Sequence, residues 1–173
     1  MKKTRVFWGI AILIVTSSCF HGRSSSGVVG YRGQTVFLKK DLSYKVGVLP
    51  KEWRVLKTPV KAAAFHNDGS HATISTDAFC GASFEDLPLK TLTGHLFAGT
   101  SKHNVIKEDE FSLDGRGALR TISTGTVDGI ALKFDSVVVK KNNCTFDFIY
   151  ISPPENYDGG VADFENFYIG FSF

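Results

Sequence analysis

Asn104–Ser152 reads NVIKEDEFSLDGRGALRTISTGTVDGIALKFDSVVVKKNNCTFDFIYIS. Three short turn signals divide it: Asp114-Gly115, Asp128-Gly129 and Lys141-Asn142-Asn143. Asp-Gly between apolar runs is a strong local hairpin signal, because both central residues of the favoured tight turn need a positive φ. The segments between the turns are rich in β-branched and aromatic residues. They predict strands over Asn104–Leu113, Ala118–Val127, Ile130–Lys140 and Cys144–Ser152. Connections this short join antiparallel neighbours, so the stretch reads as a four-strand meander.

Working upstream, Asp86-Leu87-Pro88-Leu89 predicts the start of a helix: Asp86 can cap it, Pro88 suits its first turn, and Leu89, Leu92 and Leu96 share one face. Gly99 is a natural stop. Ala62–Phe65 and Ala72–Phe79 flank Asp68-Gly69 and predict another hairpin. Gln34–Lys40 contains a short strand, and Leu42, Tyr44, Val46 and Val48 alternate ahead of Pro50 and Trp53–Leu56. Downstream, Pro153-Pro154 ends the meander. Val161, Phe164, Phe167, Tyr168 and Phe171 are spaced as one helix face, and Gly170 predicts that an extended tail follows. Strands, a helix, a meander and a terminal helix make an α+β fold, with a central antiparallel sheet flanked by helices.

That order carries a resemblance. Leu49-Pro50-Lys51-Glu52-Trp53, the later hairpins and the ending Phe164–Phe173 (FENFYIGFSF) look like the entry, meander, helix and tail of PsbP-like domains, across most of residues 42–173. The resemblance implies a PsbP-like α/β/α sandwich and a non-enzymatic role as an extrinsic subunit or assembly factor. Cys80 with Leu87-Pro88-Leu89, Leu113–Arg116, Val127–Gly129 and Lys140-Lys141 with Cys144 are similar to bacterial envelope lipoproteins of this type, a relation that implies no activity.

The N-terminus supports an envelope address. Met1–Arg5 is basic, Val6–Val15 is ten residues without charge, and Thr16-Ser17-Ser18-Cys19 follows. These are the parts of a secretory leader. Ten helical residues rise only about 15 Å, half a bilayer's hydrocarbon thickness, so the stretch reads as a cleaved leader rather than a membrane span. Small residues directly before Cys19 resemble the lipobox of bacterial lipoproteins, although Thr16 stands where Leu is usual. The resemblance implies acylation of Cys19 and a lasting membrane tether, since two or more acyl chains anchor stably where one does not. Phe20, rather than Asp, leans toward the outer membrane over the inner. The expected organisation is a signal peptide over 1–18, a lipidated cysteine and Ser/Gly-rich flexible tether over 19–33, and one globular domain over 34–173.

Composition agrees. The chain has 173 residues, 43% apolar and 21% charged, with 15 Phe, which suits one aromatic-rich domain. The net charge of +3 comes entirely from Lys2, Lys3 and Arg5; the remaining acids and bases balance. A nucleic-acid partner is therefore not expected.

Candidate chemistry is sparse. Cys80 and Cys144 end one predicted strand and begin another. In an oxidising compartment they are candidates for a disulfide closing about 64 residues, with buried free thiols as the alternative and a thiol-based enzyme a more distant one. His66 and His71 flank the Asp68-Gly69 turn, a spacing better suited to solvated side chains than to a metal, and no metal or cofactor is expected. Gly115-Arg116-Gly117 is too small for a phosphate loop. Lys39-Lys40 and Lys140-Lys141 read as charges guarding strand ends. Glu108-Asp109-Glu110 reads as an exposed strand face. Phe164, Phe167, Tyr168 and Phe171 are a possible face for an apolar ligand, though a stripe at helical spacing is more often core. The sequence thus points to a membrane-anchored envelope module with a protein partner of unidentified kind, with a carrier of a lipid or other apolar ligand as the alternative.

Overall fold

The computed structural model describes residues 27–57, 62–81 and 87–173. The leader, Cys19, the first part of the tether and the expected cap Asp86 lie outside the described residues. Among the described residues no helix is long and apolar enough to cross a membrane.

The fold is α+β and mostly antiparallel sheet. Its strands are β1 (Val28–Arg32), β2 (Thr35–Leu38), β3 (Ser43–Lys45), β4 (Trp53–Val55), β5 (Ala63–Asn67), β6 (Ala72–Cys80), β7 (Ser101–Leu113), β8 (Arg116–Val127), β9 (Ile130–Lys141) and β10 (Cys144–Ser152). Helix α1 (Leu89–Leu96) precedes β7, and α2 (Val161–Ile169) follows β10. β1, β2 and β3 form a small sheet, and the large sheet runs β4-β5-β6-β10-β9-β8-β7. The meander expected from the turn signals is present, with strand ends moved by three residues at most. Each turn has both central residues at positive φ: Asp114 and Gly115, Asp128 and Gly129, Asn142 and Asn143. That conformation continues the right-handed twist of the flanking strands, which is why Asp-Gly signals a hairpin so well.

One expectation is corrected. Residues 28–32 fall within the span that the Ser/Gly-rich reading assigns to the tether, yet they form β1. Val28 is buried, and the Tyr31 ring meets Phe65 edge-on at 4.8 Å. Val28, Val29 and Tyr31 favour a strand, and burial of Val28 with pairing to β2 fixes it. The alternation through Leu42–Val48 is also only half used: Tyr44 and Val46 are buried, whereas Leu42 and Val48 stand in solvent.

Successive side chains of a strand point to opposite faces. On β10, Phe146, Phe148 and Tyr150 face α2, and Thr145, Asp147 and Ile149 face the other way. α1 packs on that second face against β8 and β9, with Phe97 just after it edge-on to Phe134 at 5.6 Å. The helices therefore cover opposite faces. The core lies on the α2 side, where Phe148 meets Phe167 and Phe171, and Tyr150 stacks on Phe164. The Trp53 indole N–H donates to Asp163 Oδ2 at 2.8 Å and pins β4 to α2. Gly47 lets the chain after β3 touch α2: its N–H donates to Phe167 O at 2.8 Å, and an added Cβ would lie 2.0 Å from Asn166 O. The tail returns as expected, with Ser172 bridging to Lys45.

Candidate functional site

β6 and β10 pair so that Cys80 and Cys144 are direct cross-strand partners. The structure joins them in a disulfide, with S–S 2.06 Å. Neither sulfur is then available as a nucleophile. Loop entropy values a closure of 64 residues at about 4 kcal/mol.

The aromatic stripe of α2 packs inward. Phe164, Phe167, Tyr168 and Phe171 are all within 5% of complete burial. They fill the space against β10, and neither of the two surface pockets described below is lined by any of them. The apolar ligand face considered from the sequence is the helix's packing face.

Around this core lies a polar clasp. Arg120 on β8 donates from Nε and Nη2 to both oxygens of Asp135 on β9, at 2.9 and 2.6 Å. The Tyr157 hydroxyl donates to Asp135 Oδ2 at 2.7 Å. Arg120 Nη1 reaches Glu165 on α2 at 2.8 Å and the Tyr168 hydroxyl at 3.3 Å. The Tyr150 hydroxyl donates to Tyr157 O at 2.9 Å, and the Lys133 ammonium sits 3.5 Å over the Tyr157 ring. Asp135 is fully buried, and its bonds to Arg120 hold the guanidinium charged, well above its ordinary pKa. Burial and the bond to Asp135 likewise raise Tyr157. The bonds of this clasp fix α2 to the sheet. Sequence reasoning missed it, although counting register back from the Asp128-Gly129 turn would have placed Arg120 and Asp135 as diagonal neighbours.

On the α1 face Asp147 stands directly opposite Asp77. Burial, and then the Asp77 charge, push the Asp147 carboxyl up to about 7. Asp77 Oδ1 accepts from the Ala78 N–H at 2.7 Å, while Asp147 Oδ1 has no hydrogen-bond partner among the described residues. Two adjacent carboxylates in a desolvated place do not both ionise readily.

His66, beside the Asp68 turn, is engaged locally. His66 Nδ1 lies 3.1 Å from Thr73 Oγ1, and Arg54 grips Asp68 through two 3.0 Å bonds. Among the described residues no three His, Cys, Asp or Glu side chains are grouped to hold a metal ion.

Two surface concavities are formed among the described residues. One, of about 680 Å³, runs between the start of α1 and β7–β8, lined among others by Leu89, Glu110, Phe111 and Leu119. The Lys90–Glu108 ion pair spans it at 2.7 Å. The other, of about 310 Å³, sits at the disulfide end of the sheet. Arg116, Lys140, Lys141, Asn142, Asn143 and Thr145 line it, with no acidic side chain among its described lining residues.

The arrangement of a seven-stranded antiparallel sheet with a terminal helix over its aromatic face is a PsbP-like fold. The chain is similar to the solution structure of the cyanobacterial PsbP protein CyanoP from Synechocystis sp. PCC 6803. TM-score is 0.59 and identity 17%, over 87% of this chain and 98% of that one. It is also similar to LpqN of Mycobacterium tuberculosis, described as involved in cell envelope biogenesis. There TM-score is 0.54 and identity 12%, over 78% of this chain and 85% of that one. A Bacteroides thetaiotaomicron structure matches at TM-score 0.54 and 11% identity, over 75% of this chain and 44% of its own. At such identities the likeness is one of fold. No family model matches the chain, and no curated protein matches it in sequence.

Proposed function

We propose that this protein is a non-enzymatic binding or assembly module of the bacterial cell envelope, tethered to the membrane through acylated Cys19. The observation that carries the reading is how the apolar surface is divided. The aromatic face that would have lined a ligand chamber is closed core. β7, by contrast, stands at the sheet edge with no outer strand among the described residues, and it leaves Val105 and Ile106 in solvent. A register shift between Val105 and Lys107 leaves Ile106 outside the ladder with β8. An edge with unused backbone groups and apolar side chains is the surface on which strand-adding partners dock. The fold shared with an envelope-biogenesis protein supports the address, and the lipobox-like residues before Cys19 support the anchor. The leader and Phe20 favour the outer membrane. A lipid carrier has no comparable support, because the space it needs is filled by Phe148, Phe164 and Phe167.

The test is capture of the full-length lipidated protein from crosslinked membranes. A recurrent envelope protein whose yield falls with V105D/I106D is the expected result. Recovery of lipid alone, or of nothing, withdraws the assembly role. C19S is expected to shift the protein out of the membrane fraction, and unchanged membrane association would remove the anchor.

A further inference from the structure

We infer that the pocket at the disulfide end of the sheet binds a phosphoryl anion, either a lipid headgroup or a free phosphate. Its walls come from four places that the sequence keeps apart: Arg116 at the start of β8, Lys140 and Lys141 at the end of β9, the Asn142-Asn143 turn, and Gly81 with Cys144 and Thr145 beside the disulfide. Gly115-Arg116-Gly117 alone is too short to wrap a phosphate, but the fold does not ask it to. It gathers Arg116, Lys140, Lys141, Asn142 and Asn143 around a cavity of about 310 Å³, the lower end of the range for small-ligand sites.

The cations differ in their engagements. Lys141 donates to Asp114 Oδ2 at 2.5 Å, and Lys140 donates to Leu87 O at 2.9 Å. Lys141 is thus paired with Asp114, and Lys140 is held by a backbone carbonyl, so each ammonium has a fixed place. Arg116 is exposed and makes no ion pair or hydrogen bond with the described residues, so its fork is available. A planar guanidinium matches two oxygens of a phosphoryl group, which an ammonium does not. The tight turn leaves the N–H groups of its two central residues outside its own hydrogen bond, and both belong to Asn142 and Asn143 at positive φ. The acid nearest in the bonding pattern, Asp114, is already neutralised. Lys141 and the Phe173 N–H hold its carboxyl below the usual carboxylate range.

The chain's path suits a headgroup. Gly27 donates to Ala78 O on β6, three residues before Gly81 at the pocket. The eight steps from Cys19 to Gly27 extend at most about 28 Å. An acylated Cys19 therefore keeps this end of the sheet near the membrane surface. That orientation rests on the anchor reading; the anion site itself does not.

The full-length protein is to be followed by NMR at the Asn142 and Asn143 amides. In neutral detergent it is titrated with inorganic phosphate against sodium chloride of equal ionic strength. It is then placed in nanodiscs of phosphatidylglycerol or of phosphatidylcholine. A saturable shift absent with chloride, weakened at least tenfold in R116A and only partly restored in R116K, supports the site. A shift on phosphatidylglycerol without added phosphate, lost in R116A, identifies a lipid headgroup; a response to inorganic phosphate alone identifies a free phosphate. Arg116 is exposed, so both variants are expected to keep the remaining amide dispersion. No saturable response to either probe overturns the site, as does an R116A or R116K response equal to wild type. Failure of the anchor reading would show separately, as a protein that does not enter nanodiscs yet still responds to phosphate in detergent.

Discussion

The two faces of the large sheet are built from the same strands and obey different chemistry. Toward α2, β10 presents Phe146, Phe148 and Tyr150 to a ring-on-ring core. The charged groups at its border, Arg120, Asp135 and Glu165, are fully paired. Toward α1, the same strands present Thr121, Ser123, Ser136 and Asp147, all buried. Thr93 on α1 meets them from above and is buried too. Of these, Thr93 Oγ1, Thr121 Oγ1, Ser123 Oγ and Asp147 Oδ1 have no hydrogen-bond partner among the described residues. Both faces bury apolar side chains, since Leu92, Phe97, Leu119, Phe134 and Val138 fill the α1 side. The α1 side mixes them with polar groups left without a partner, each at a cost of roughly 1–3 kcal/mol.

The sharpest way to break this comparison is to hollow the α2 face. F148A removes a fully buried ring from the centre of the aromatic cluster and is expected to cost about 3–5 kcal/mol in chemical denaturation. A cost below about 1 kcal/mol would mean the core is not organised around it. Next comes the clasp. R120M strands Asp135 without its cation in a buried place and is expected to cost about 3 kcal/mol at neutral pH.

On the α1 face the signs reverse. The folded pKa of Asp147, about 7, lies above its unfolded value. Its neutral form contributes stability that is complete below about pH 4, fades as pH rises toward 7, and is absent above it. D147N, which stays neutral, is expected to match wild type near pH 4 and to be the more stable protein at pH 8. Denaturation midpoints measured across that range check this, and a difference that does not grow with pH refutes it. The smallest effect is expected from T121V, which removes a buried hydroxyl without a partner while keeping the side chain's shape. It should be neutral or stabilising by about 1 kcal/mol, and a clear destabilisation would show that the hydroxyl has a partner in solution.

How much was readable follows the range of the forces involved. Asp114-Gly115, Asp128-Gly129 and Asn142-Asn143 each hold their own turn, so the meander was legible from three dipeptides. β1 was not, because Val28–Arg32 is short and follows the Ser/Gly run, and its pairing with β2 and the core beneath Val28 come from elsewhere in the chain. The stripe on α2 was legible as a stripe, but whether it faced a ligand or a sheet depended on Phe146, Phe148 and Tyr150 arriving from another strand. Arg116 was visible as a lone basic residue in a small turn. Nothing local announced that Lys140, Asn142 and Gly81 would close around it.

The sequence by itself determined the strands of the meander, both helices and the α+β class, because period and turn chemistry act over a few residues. Side-chain capping is no part of that, since α1 has Pro88 at its N-cap and no side-chain cap bond there. It also carried the leader-like N-terminus with its cysteine. Only the tertiary structure decided that Cys80 and Cys144 meet, that Arg120 grips Asp135, that Asp147 faces Asp77, and that the α2 aromatics are core. Those are consequences of register and of which layer covers which face. They are set by the summed burial of the whole sheet, not by any segment read alone.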